Sequence, residues 1–384
     1  MEILKKSCNF AGGNVLGTED YEKSRNEKSR NMENPFKFGT IVEEQYFTDR
    51  KEEVDYIRTF LDSPNHLVLI SPRRFGKSSV VAKAVKLSGR EYIQVNLQQI
   101  TSVSDLSAQL LRELFRIRPI ERLRHYITHF RVIPTITSNP ITGMIDVSFQ
   151  PSQSANTILE DVMMLLENAY SEDNRLIVIL DEFQEILEIA PTLDKQLRAI
   201  MQQQTHINYI LLGSQESMMS DIFEKKKSPF YHFGALMRLK KLPREDFYNY
   251  LSERLQASYP EQYHSLANRI LDFTDCHPYY SQQLAAHIWQ IGQLQPETKD
   301  VFTAAIQEIV TTHSLDYERL WMHFSRTSKW ILQRLASNTP FNSSEYKQST
   351  IYSALKKMQH EGYVIYTDRY EIEDPFFKQW LLRA

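Results

Sequence analysis

The first place where this sequence could do chemistry is a glycine, a lysine and a serine that follow an apolar run. Residues 66–70 lead into residues 71–78, which end in Gly76, Lys77 and Ser78, and a helical apolar period follows at 80–85. This order of strand, loop and helix is typical of a phosphate-binding loop. In such a loop, backbone N–H groups and the helix N-terminus hold phosphates, the lysine reaches the terminal phosphates, and the serine hydroxyl binds Mg²⁺.

The loop departs from the usual pattern at its first position, where Ser71 stands in place of glycine. A serine can serve there if its backbone angles stay within the range that side chains allow. The alternative is a chance Gly-Lys-Ser at a helix start, with Lys77 in solvent. The context favours a phosphate loop, and we predict that the following residues bind ATP: Ser71, Pro72, Arg73, Arg74, Phe75, Gly76, Lys77, Ser78 and Ser79.

Two adjacent carboxylates end a second apolar run. Residues 176–180 are all apolar, and Asp181 and Glu182 follow directly. Because the C-terminal ends of parallel strands share one edge of a sheet, this pair should emerge beside Lys77. Asp181 then suits a Mg²⁺ that it shares with Ser78, and Glu182 suits the catalytic base that orients the attacking water. The alternative is that the pair only caps the helix that follows it.

Polar residues also follow the next strand candidate. Residues 209–212 precede Gly213, Ser214 and Gln215, at the same predicted edge of the sheet. Ser214 or Gln215 could sense the γ-phosphate, and a plain polar loop exit is the alternative. Arg238, on a fifth strand candidate, is a candidate catalytic arginine that contacts the γ-phosphate of its own or a neighbouring subunit. An ordinary ion-paired arginine is at least as good an explanation.

A parallel sheet is needed to bring these groups together, and the order of apolar segments predicts one. From about residue 46 onwards, strand signals alternate with helical periods, which is the pattern of an α/β fold with helices on both faces of the sheet. We therefore predict a P-loop NTPase core over residues 32–242. Its expected strands are residues 66–70, 92–96, 176–180, 209–212 and 236–240.

Two segments do not fit this alternation. Residues 1–31 are polar and repetitive, which predicts a disordered or mis-assigned N-terminal extension. Residues 131–150 read as two strands around an Asn-Pro-Ile-Thr-Gly turn, which predicts an inserted hairpin. The sequence does not indicate what the hairpin does.

The C-terminal third predicts two smaller domains. Helical periodicity takes over after Pro243, so residues 243–315 should form a helical lid. Residues 316–384 mix helix and strand signals, and two helices followed by a two-stranded wing make a winged helix-turn-helix. The expected elements are helices at 328–336 and 349–361 and strands at 363–366 and 370–373.

The predicted winged helix carries a mild positive charge. Residues 320–384 contain nine Lys and Arg against six Asp and Glu. Lys356 and Lys357 on the second helix and Arg369 on the wing are candidates for binding DNA. With so small an excess of charge, a structural or protein-docking role is an equal alternative.

Composition narrows the class of protein. With 384 residues, 42% of them hydrophobic, the chain can bury a large core. A net charge of -3 means that nucleic-acid affinity would need a local patch. Cys8 and Cys276 lack the spacing of zinc or disulfide sites, which favours a reducing, cytoplasmic setting. No apolar run approaches the ~18 residues that cross a membrane. The N-terminal residues contain no apolar region of the kind that a secretion signal needs, so none is expected.

An ordered set of short motifs over residues 32–384 resembles the archaeal-type ATPase family, of the STAND branch of AAA+-like proteins. The resemblance implies an ATP-binding core, a helical lid and a winged helix. It also implies that residues 47–53 line the adenine side and that His277 and Pro278 close over the nucleotide, although a plain turn between helices is the alternative for that pair. The motifs are Asn34-Pro-Phe, Phe47-Thr-Asp-Arg-Lys-Glu-Glu, Ser71-Pro-Arg-Arg-Phe-Gly-Lys-Ser, Asp181-Glu-Phe-Gln, Ser228-Pro-Phe-Tyr, Cys276-His-Pro-Tyr-Tyr and Asp374-Pro-Phe-Phe.

Three functions follow from these observations. The first is an ATPase with slow turnover that acts as a molecular switch, in which the ATP state sets the geometry of lid and winged helix. The second is a DNA-binding regulator that nucleotide tunes, and the third is a scaffold with ATP that is never hydrolysed. The expected cofactors are ATP and Mg²⁺, and the expected partners are ATP and either DNA or a protein. No membrane association is expected, and the oligomeric state stays open.

Overall fold

The computed structural model describes residues 33–383, apart from residues 43, 139–140, 142–144, 151–153 and 342–344. The segment 1–31, which the sequence predicts to be disordered or mis-assigned, lies outside the described residues. None of the described helices is long and apolar enough to cross a membrane.

Strand pairing confirms the predicted α/β core. The strands are β1 (Leu67–Ile70), β2 (Tyr92–Asn96), β3 (Thr135–Ser138), β4 (Ile145–Ser148), β5 (Leu176–Asp181), β6 (Ile207–Gly213), β7 (Ala235–Arg238), β8 (Val364–Tyr366) and β9 (Tyr370–Ile372). Five of them form one sheet in the order β2-β5-β6-β1-β7, and all neighbours in it are parallel. The C-terminal ends of β1, β5 and β6 therefore meet at one edge.

One strand, β6, starts earlier than expected because it contains a buried polar residue. We expected the fourth strand to start at residue 209, but β6 begins at Ile207 because Asn208 is part of it. Asn208 is 1% exposed, and its amide donates to the carbonyl oxygens of Ser63 at 2.8 Å and Asn65 at 3.1 Å. These bonds satisfy a buried amide that a hydrophobic pattern would exclude from a strand.

Helices cover both faces of the sheet. They are α1 (Lys51–Leu61), α2 (Lys77–Ser88), α3 (Val103–Ile117), α4 (Ile120–Ile127), α5 (Ala155–Asn168), α6 (Ile186–Ile189), α7 (Leu193–Met201) and α8 (Glu216–Phe223). Leu106, Leu110, Leu111 and Leu114 recur at helical spacing in α3 and are buried against the sheet. On the other face, α1 and α2 bury Val54, Ile57, Val80 and Ala84. Two apolar layers thus fix the sheet edge in place.

The predicted insertion contains an antiparallel pair. Strands β3 and β4 pair from Thr135 with Ser148 to Ser138 with Ile145, and Val147 of β4 is buried in the core cluster that includes α3. Residues 139–140 and 142–144 of the connecting segment are not among the described residues.

The C-terminal part is helical and then mixed. Its helices are α9 (Arg244–Leu255), α10 (Tyr263–Thr274), α11 (Pro278–Leu294), α12 (Val301–Thr312), α13 (Ser314–His323), α14 (Arg326–Ala336), α15 (Gln348–His360) and α16 (Pro375–Leu381). Helices α14 and α15 precede β8 and β9, which pair antiparallel as a wing. This is the predicted helix, helix and wing order of a winged helix-turn-helix.

The lid helices and the winged helix share one apolar core. Leu251 and Leu284 from the lid lie in the same buried cluster as Ile331 and Phe376 from the winged helix. The wing also reaches the sheet domain, because Ile365 of β8 belongs to the cluster that contains Phe75 of the phosphate loop. The division into the domains 32–242, 243–315 and 316–384 stays a prediction, but the winged helix packs against both of its neighbours.

Candidate functional site

The loop after β1 presents backbone N–H groups to the sheet edge. Residues 71–76 connect β1 to α2, and Gly76 precedes α2 with a φ of 90°. A side chain at Gly76 would be strained by that angle, although a Cβ would meet no neighbour within 4 Å. No side-chain hydrogen bond caps the start of α2. Its first N–H groups can therefore bind an anion such as a phosphate.

Ser71 occupies the unusual first position of the loop without strain. It is fully buried, and its N–H donates to the Gly213 carbonyl at 3.3 Å. Its φ is not positive, in contrast to Arg74, which has a φ of 65°. The serine fits here because this position does not need the left-handed angles that favour glycine.

Lys77 is buried at the sheet edge. The side chain is 7% exposed, and its ammonium donates to the Ser71 carbonyl at 3.3 Å. Burial lowers the pKa of Lys77, while the carboxylates of Glu182 and Asp181 oppose that shift. An ammonium held this way is a cation of the kind that binds phosphates, and the alternative of a lysine in solvent is wrong.

Ser78 and Asp181 supply oxygen atoms that suit a magnesium ion. The Ser78 hydroxyl donates to Asp181 Oδ2 at 3.4 Å, which joins the first turn of α2 to the end of β5. Mg²⁺ takes hard oxygen ligands and keeps several waters or phosphate oxygens. A hydroxyl and a carboxylate this close fit that requirement, so these two residues would hold the metal.

Glu182 is held by two hydrogen bonds. Its Oε2 accepts from the Ser214 hydroxyl and from the Gln184 amide, both at 2.6 Å. It has a φ of 54°, an uncommon angle for a side-chain-bearing residue. The predicted neighbours Glu182 and Ser214 therefore contact each other directly.

The pKa values of the two carboxyl groups are shifted in opposite directions. Burial and the neighbouring Glu182 raise the pKa of Asp181. Burial also acts to raise the pKa of Glu182, but hydrogen bonds from Ser214 and Gln184, together with Lys77 and Arg73, lower it below its usual value. Glu182 is thus ionised at neutral pH, whereas Asp181 is a buried charge that a cation would stabilise.

The variant Asp181→Asn should raise the melting temperature of the nucleotide-free protein at pH 8. The folded pKa of Asp181 lies above its unfolded value of ~3.9. Wild type therefore loses stability as pH rises from the unfolded pKa through the folded pKa of this group. Asparagine does not titrate, so the variant is free of this loss, and each kcal/mol of relief would raise the melting temperature by roughly 2 °C. The difference should shrink as pH falls from 8 towards the unfolded pKa of aspartate, which calorimetric melting over that range would measure.

Asp316→Asn is the matched control, because Asp316 is an exposed aspartate. It should leave the melting temperature unchanged at both ends of the pH range. A melting temperature of Asp181→Asn at or below wild type at pH 8 would contradict the raised pKa.

A cavity of about 540 Å³ adjoins the phosphate loop, a size that suits a nucleotide. The loop lines it with Arg73, Arg74, Phe75, Gly76, Lys77, Ser78 and Ser79. The predicted adenine side contributes Phe47, Thr48 and Arg50, and the lid contributes Pro278, Tyr279 and Gln282. Core and lid thus face one another across the same space.

The N-terminal segment also lines this cavity, and sequence patterns did not single it out. Residues 37–42 and Tyr46 form part of its wall. The Val42 N–H donates to the Ser79 hydroxyl at 3.1 Å, which ties the segment to α2. A contact through the backbone leaves no residue type to recognise, so the sequence carries little signal for it.

Two of the remaining predicted residues, His277 and Arg238, are not part of the wall of this cavity. His277 is 2% exposed and is absent from the cavity wall. Its Nδ1 accepts from the backbone N–H groups of Tyr279 and Tyr280 at the start of α11, so the imidazole caps that helix here, and its closing over the nucleotide stays a prediction. Pro278 does line the cavity. Arg238 pairs with Glu224 at 2.7 Å, and a catalytic role for it stays a prediction.

Two more predicted binding residues face a second, smaller cavity. Pro72 and Ser214 line a space of about 200 Å³, together with Arg73, Glu216 and His360. This space lies between the phosphate loop and the C-terminal end of α15. The winged helix therefore reaches the side of the site where Glu182 is held.

The candidate DNA-binding side chains lie on the surface. Lys356 and Lys357 are exposed on α15, and Arg369 is exposed beside β9. Lys357 is 3.8 Å from Glu361, and Arg369 donates to Glu371 at 2.9 Å. Exposed pairs such as that of Lys357 with Glu361 are weak and exchange partners at little cost, whereas Glu371 is partly buried and also pairs with Lys241.

Comparison with known proteins gives one family and a common fold. Residues 47–284, more than half of the chain, match a family model described as an ATPase domain predominantly from Archaea. The Walker-type ATPase PABY2304 of Pyrococcus abyssi aligns with a TM-score of 0.61 at 17% identity, over 88% of this chain and 97% of that one. The ORC2 protein of Aeropyrum pernix, in its ADPNP-ADP complexes, aligns with a TM-score of 0.54 at 18% identity, over 91% and 96%. A search of curated proteins finds no match.

Proposed function

Because this chain belongs to the family of ATPase domains found predominantly in Archaea, we propose that it binds Mg-ATP, hydrolyses it slowly and acts as a molecular switch of the STAND kind. Its fold is that of the P-loop NTPases. One observation carries the proposal: Lys77, Ser78, Asp181 and Glu182 converge at one sheet edge beside a cavity of nucleotide size.

Each of these side chains has a distinct role in the proposed reaction. The loop N–H groups and Lys77 bind the phosphates and balance the charge that builds up on them. Ser78 and Asp181 hold the magnesium ion, which would neutralise the phosphate oxygens. Glu182 stays ionised and orients the attacking water, from which it accepts a proton. Arg238 is a further candidate for contacting the γ-phosphate, in its own or a neighbouring subunit.

The switch role is supported by the way the cavity is shared. Arg74 and Lys77 come from the core, whereas Pro278, Tyr279 and Gln282 come from the lid. A ligand in this space touches both bodies, so it favours the lid orientation in which both sets of contacts form. The bound nucleotide would then determine the orientation of the lid and of the winged helix.

Measuring ATP binding and phosphate release by the purified protein tests this function. We expect bound ATP and Mg²⁺-dependent release of phosphate. The turnover number should be lower than that of a typical enzyme, which is about 10 s⁻¹. Bound ATP that is never hydrolysed would instead indicate the scaffold. Absence of nucleotide binding would contradict the proposal as a whole.

A DNA-binding regulator is the second candidate, and the surface of the winged helix favours it. Tyr352 on α15 and Tyr366 on the wing are 58% and 51% exposed, and the rings of Tyr366 and Tyr370 are 4.8 Å apart. Lys356 lies 5.7 Å from the ring centre of Tyr352. Exposed cations next to exposed aromatic rings are typical of surfaces that bind nucleic acid.

Replacing Lys356, Lys357 and Arg369 together with alanine should weaken the salt dependence of DNA binding. Each phosphate contact releases counterions and contributes about 0.9 to the slope of log affinity against log salt. If all three contact phosphates, the slope should become shallower by roughly three units. Fluorescence anisotropy over a salt series, with ATP and without it, measures this slope.

Alanine at Lys225, Lys226 and Lys227 is the matched control. These three lysines are also exposed, but they lie beside α8 in the core domain. The control removes the same charge and should keep the wild-type slope. Absence of salt-dependent DNA binding by wild type would leave the winged helix as a structural or protein-docking element.

A further inference from the structure

A continuous line of polar contacts joins the phosphate loop to the wing. Arg74 of the loop donates to the Tyr280 hydroxyl at 2.8 Å. That hydroxyl donates in turn to Glu373 Oε2 at 2.6 Å. The three residues belong to the core, the lid and the winged helix, and we name them the Arg74–Tyr280–Glu373 relay.

We propose that Tyr280 and Glu373 are positioning residues for the nucleotide site, which couple the docking of the winged helix to the nucleotide that Arg74 meets. This inference rests on the proposed function and adds the path by which the switch works. Neither residue lies among those that hold the metal or orient water. Each would act through Arg74.

Two of the three members of the relay, Tyr280 and Glu373, are shielded from solvent, whereas Arg74 is exposed. Tyr280 is 1% exposed, and the Glu373 side chain is 12% exposed. Although burial acts to lower the pKa of Arg74, the neighbouring Tyr280 and Glu373 raise it. A buried tyrosine hydroxyl between a cation and a carboxylate has one favoured orientation, since it donates to the carboxylate and accepts from the guanidinium.

Arg74 adjoins the nucleotide cavity and also contacts Tyr280. It lines the 540 Å³ cavity, and its guanidinium lies 4.6 Å from the ring centre of Tyr279. Phosphate oxygens are stronger acceptors for an arginine than a neutral hydroxyl is. A phosphate within reach of Arg74 therefore competes with Tyr280 for the same donors.

Glu373 and His277 lie close together without forming a hydrogen bond to each other. Because Nδ1 of His277 accepts backbone N–H groups, the neutral ring carries its proton on Nε2. That atom is 3.6 Å from Glu373 Oε1, and both atoms are buried without a hydrogen-bond partner among the described residues. A small movement of the Glu373 side chain would complete this bond and change its position relative to Tyr280.

Two further contacts hold the wing in its present place. Lys241, between β7 and α9, lies 3.3 Å from Glu371, and Ile365 packs into the core cluster that contains Phe75. The relay thus adds a polar contact, whose strength would depend on the bound nucleotide, to the packing and ion pair that dock the wing. This contact shifts the populations of the docked and undocked wing only to the extent that ATP and ADP bind Arg74 with different strength.

Tyr280→Phe and Glu373→Gln test the relay. Each keeps the shape of the side chain: Tyr280→Phe removes the bridging hydroxyl, and Glu373→Gln removes the negative charge that makes its acceptor strong. We expect the ratio of ADP to ATP dissociation constants, measured by calorimetry with Mg²⁺, to change by about fivefold or more in each variant, the lower end of usual coupling between sites. The double variant should change the ratio no more than one single variant does, because both break the same path.

Tyr317→Phe is the matched control. Tyr317 is also buried and donates to the carboxylate of Asp374, next to Glu373, at 3.1 Å, a hydrogen bond in which Arg74 takes no part. The control should lower thermal stability by as much as Tyr280→Phe and leave the ratio of dissociation constants unchanged. If Glu373→Gln fails to fold, Tyr280→Phe carries the test alone.

Hydrogen exchange of residues 364–372 supplies a second readout. In wild type, exchange of the wing should differ between the ATP and ADP states, and Tyr280→Phe should reduce that difference. A ratio of dissociation constants that Tyr280→Phe and Tyr317→Phe leave equally unchanged would overturn the relay while the proposed ATPase stands. Wild type that binds neither nucleotide would overturn the proposed function itself.

Discussion

Replacing Glu182 with glutamine should lower the rate of ATP hydrolysis by about 10²-fold or more, while ATP affinity stays within a few-fold of wild type. Glutamine keeps the size of the side chain and an oxygen that can accept from Ser214 and Gln184. It removes the negative charge that orients water and accepts its proton. The loss should therefore fall on the chemical step, which single-turnover hydrolysis measures directly.

The surroundings of Glu182 also explain why slow turnover is expected. Hydrogen bonds from Ser214 and Gln184, with Lys77 and Arg73 nearby, lower its pKa although burial opposes that shift. A base is most effective when its pKa lies near the working pH. A carboxylate that is already well stabilised accepts a proton reluctantly, so it is better at orienting water than at removing the proton.

Glu188→Gln is the control for this experiment. Glu188 is exposed on α6, close to Glu182 along the chain, and its loss should leave both binding and turnover unchanged. An equal fall in ATP affinity and turnover in Glu182→Gln would count against the assignment as base. Such a result would mean that Glu182 acts in binding through Lys77.

Much of the core could be predicted because its signals are local. The run at residues 176–180 is apolar throughout, and Asp181 follows it, so both the strand and its polar end are visible in the sequence. The parallel topology then brings Asp181 to Ser78, over a separation that no local pattern covers. Hydrophobic periodicity and one topological rule suffice for that step.

Contacts between domains could not be predicted in the same way. Tyr280 and Glu373 are far apart in sequence and belong to no spacing pattern, yet they share a hydrogen bond. Residues 37–42 line the cavity partly through the backbone, which leaves no characteristic residue type. The role of His277 as the cap of α11 was also not predicted, because the motif that contains it indicated only a contact with nucleotide.

Replacing Lys77 with alanine should weaken Mg-ATP binding by about 10²-fold or more, which corresponds to roughly 3 kcal/mol. The ammonium is a buried cation at the sheet edge, and charge-assisted bonds to phosphate would be lost with it. The variant also leaves Asp181 and Glu182 without their nearby cation, so two carboxylates would face the phosphates unopposed. Calorimetric titration with Mg-ATP measures the change.

Lys77→Met separates charge from packing, because methionine refills much of the buried space. Burial lowers the pKa of Lys77, so the folded state does not favour its charge, and the methionine variant should be at least as stable as wild type without nucleotide. Lys86→Ala, an exposed lysine on the same helix, should bind Mg-ATP like wild type. If Lys77→Met folds and keeps wild-type affinity, the phosphates are held by the loop N–H groups alone, and Lys77 has no part in binding them.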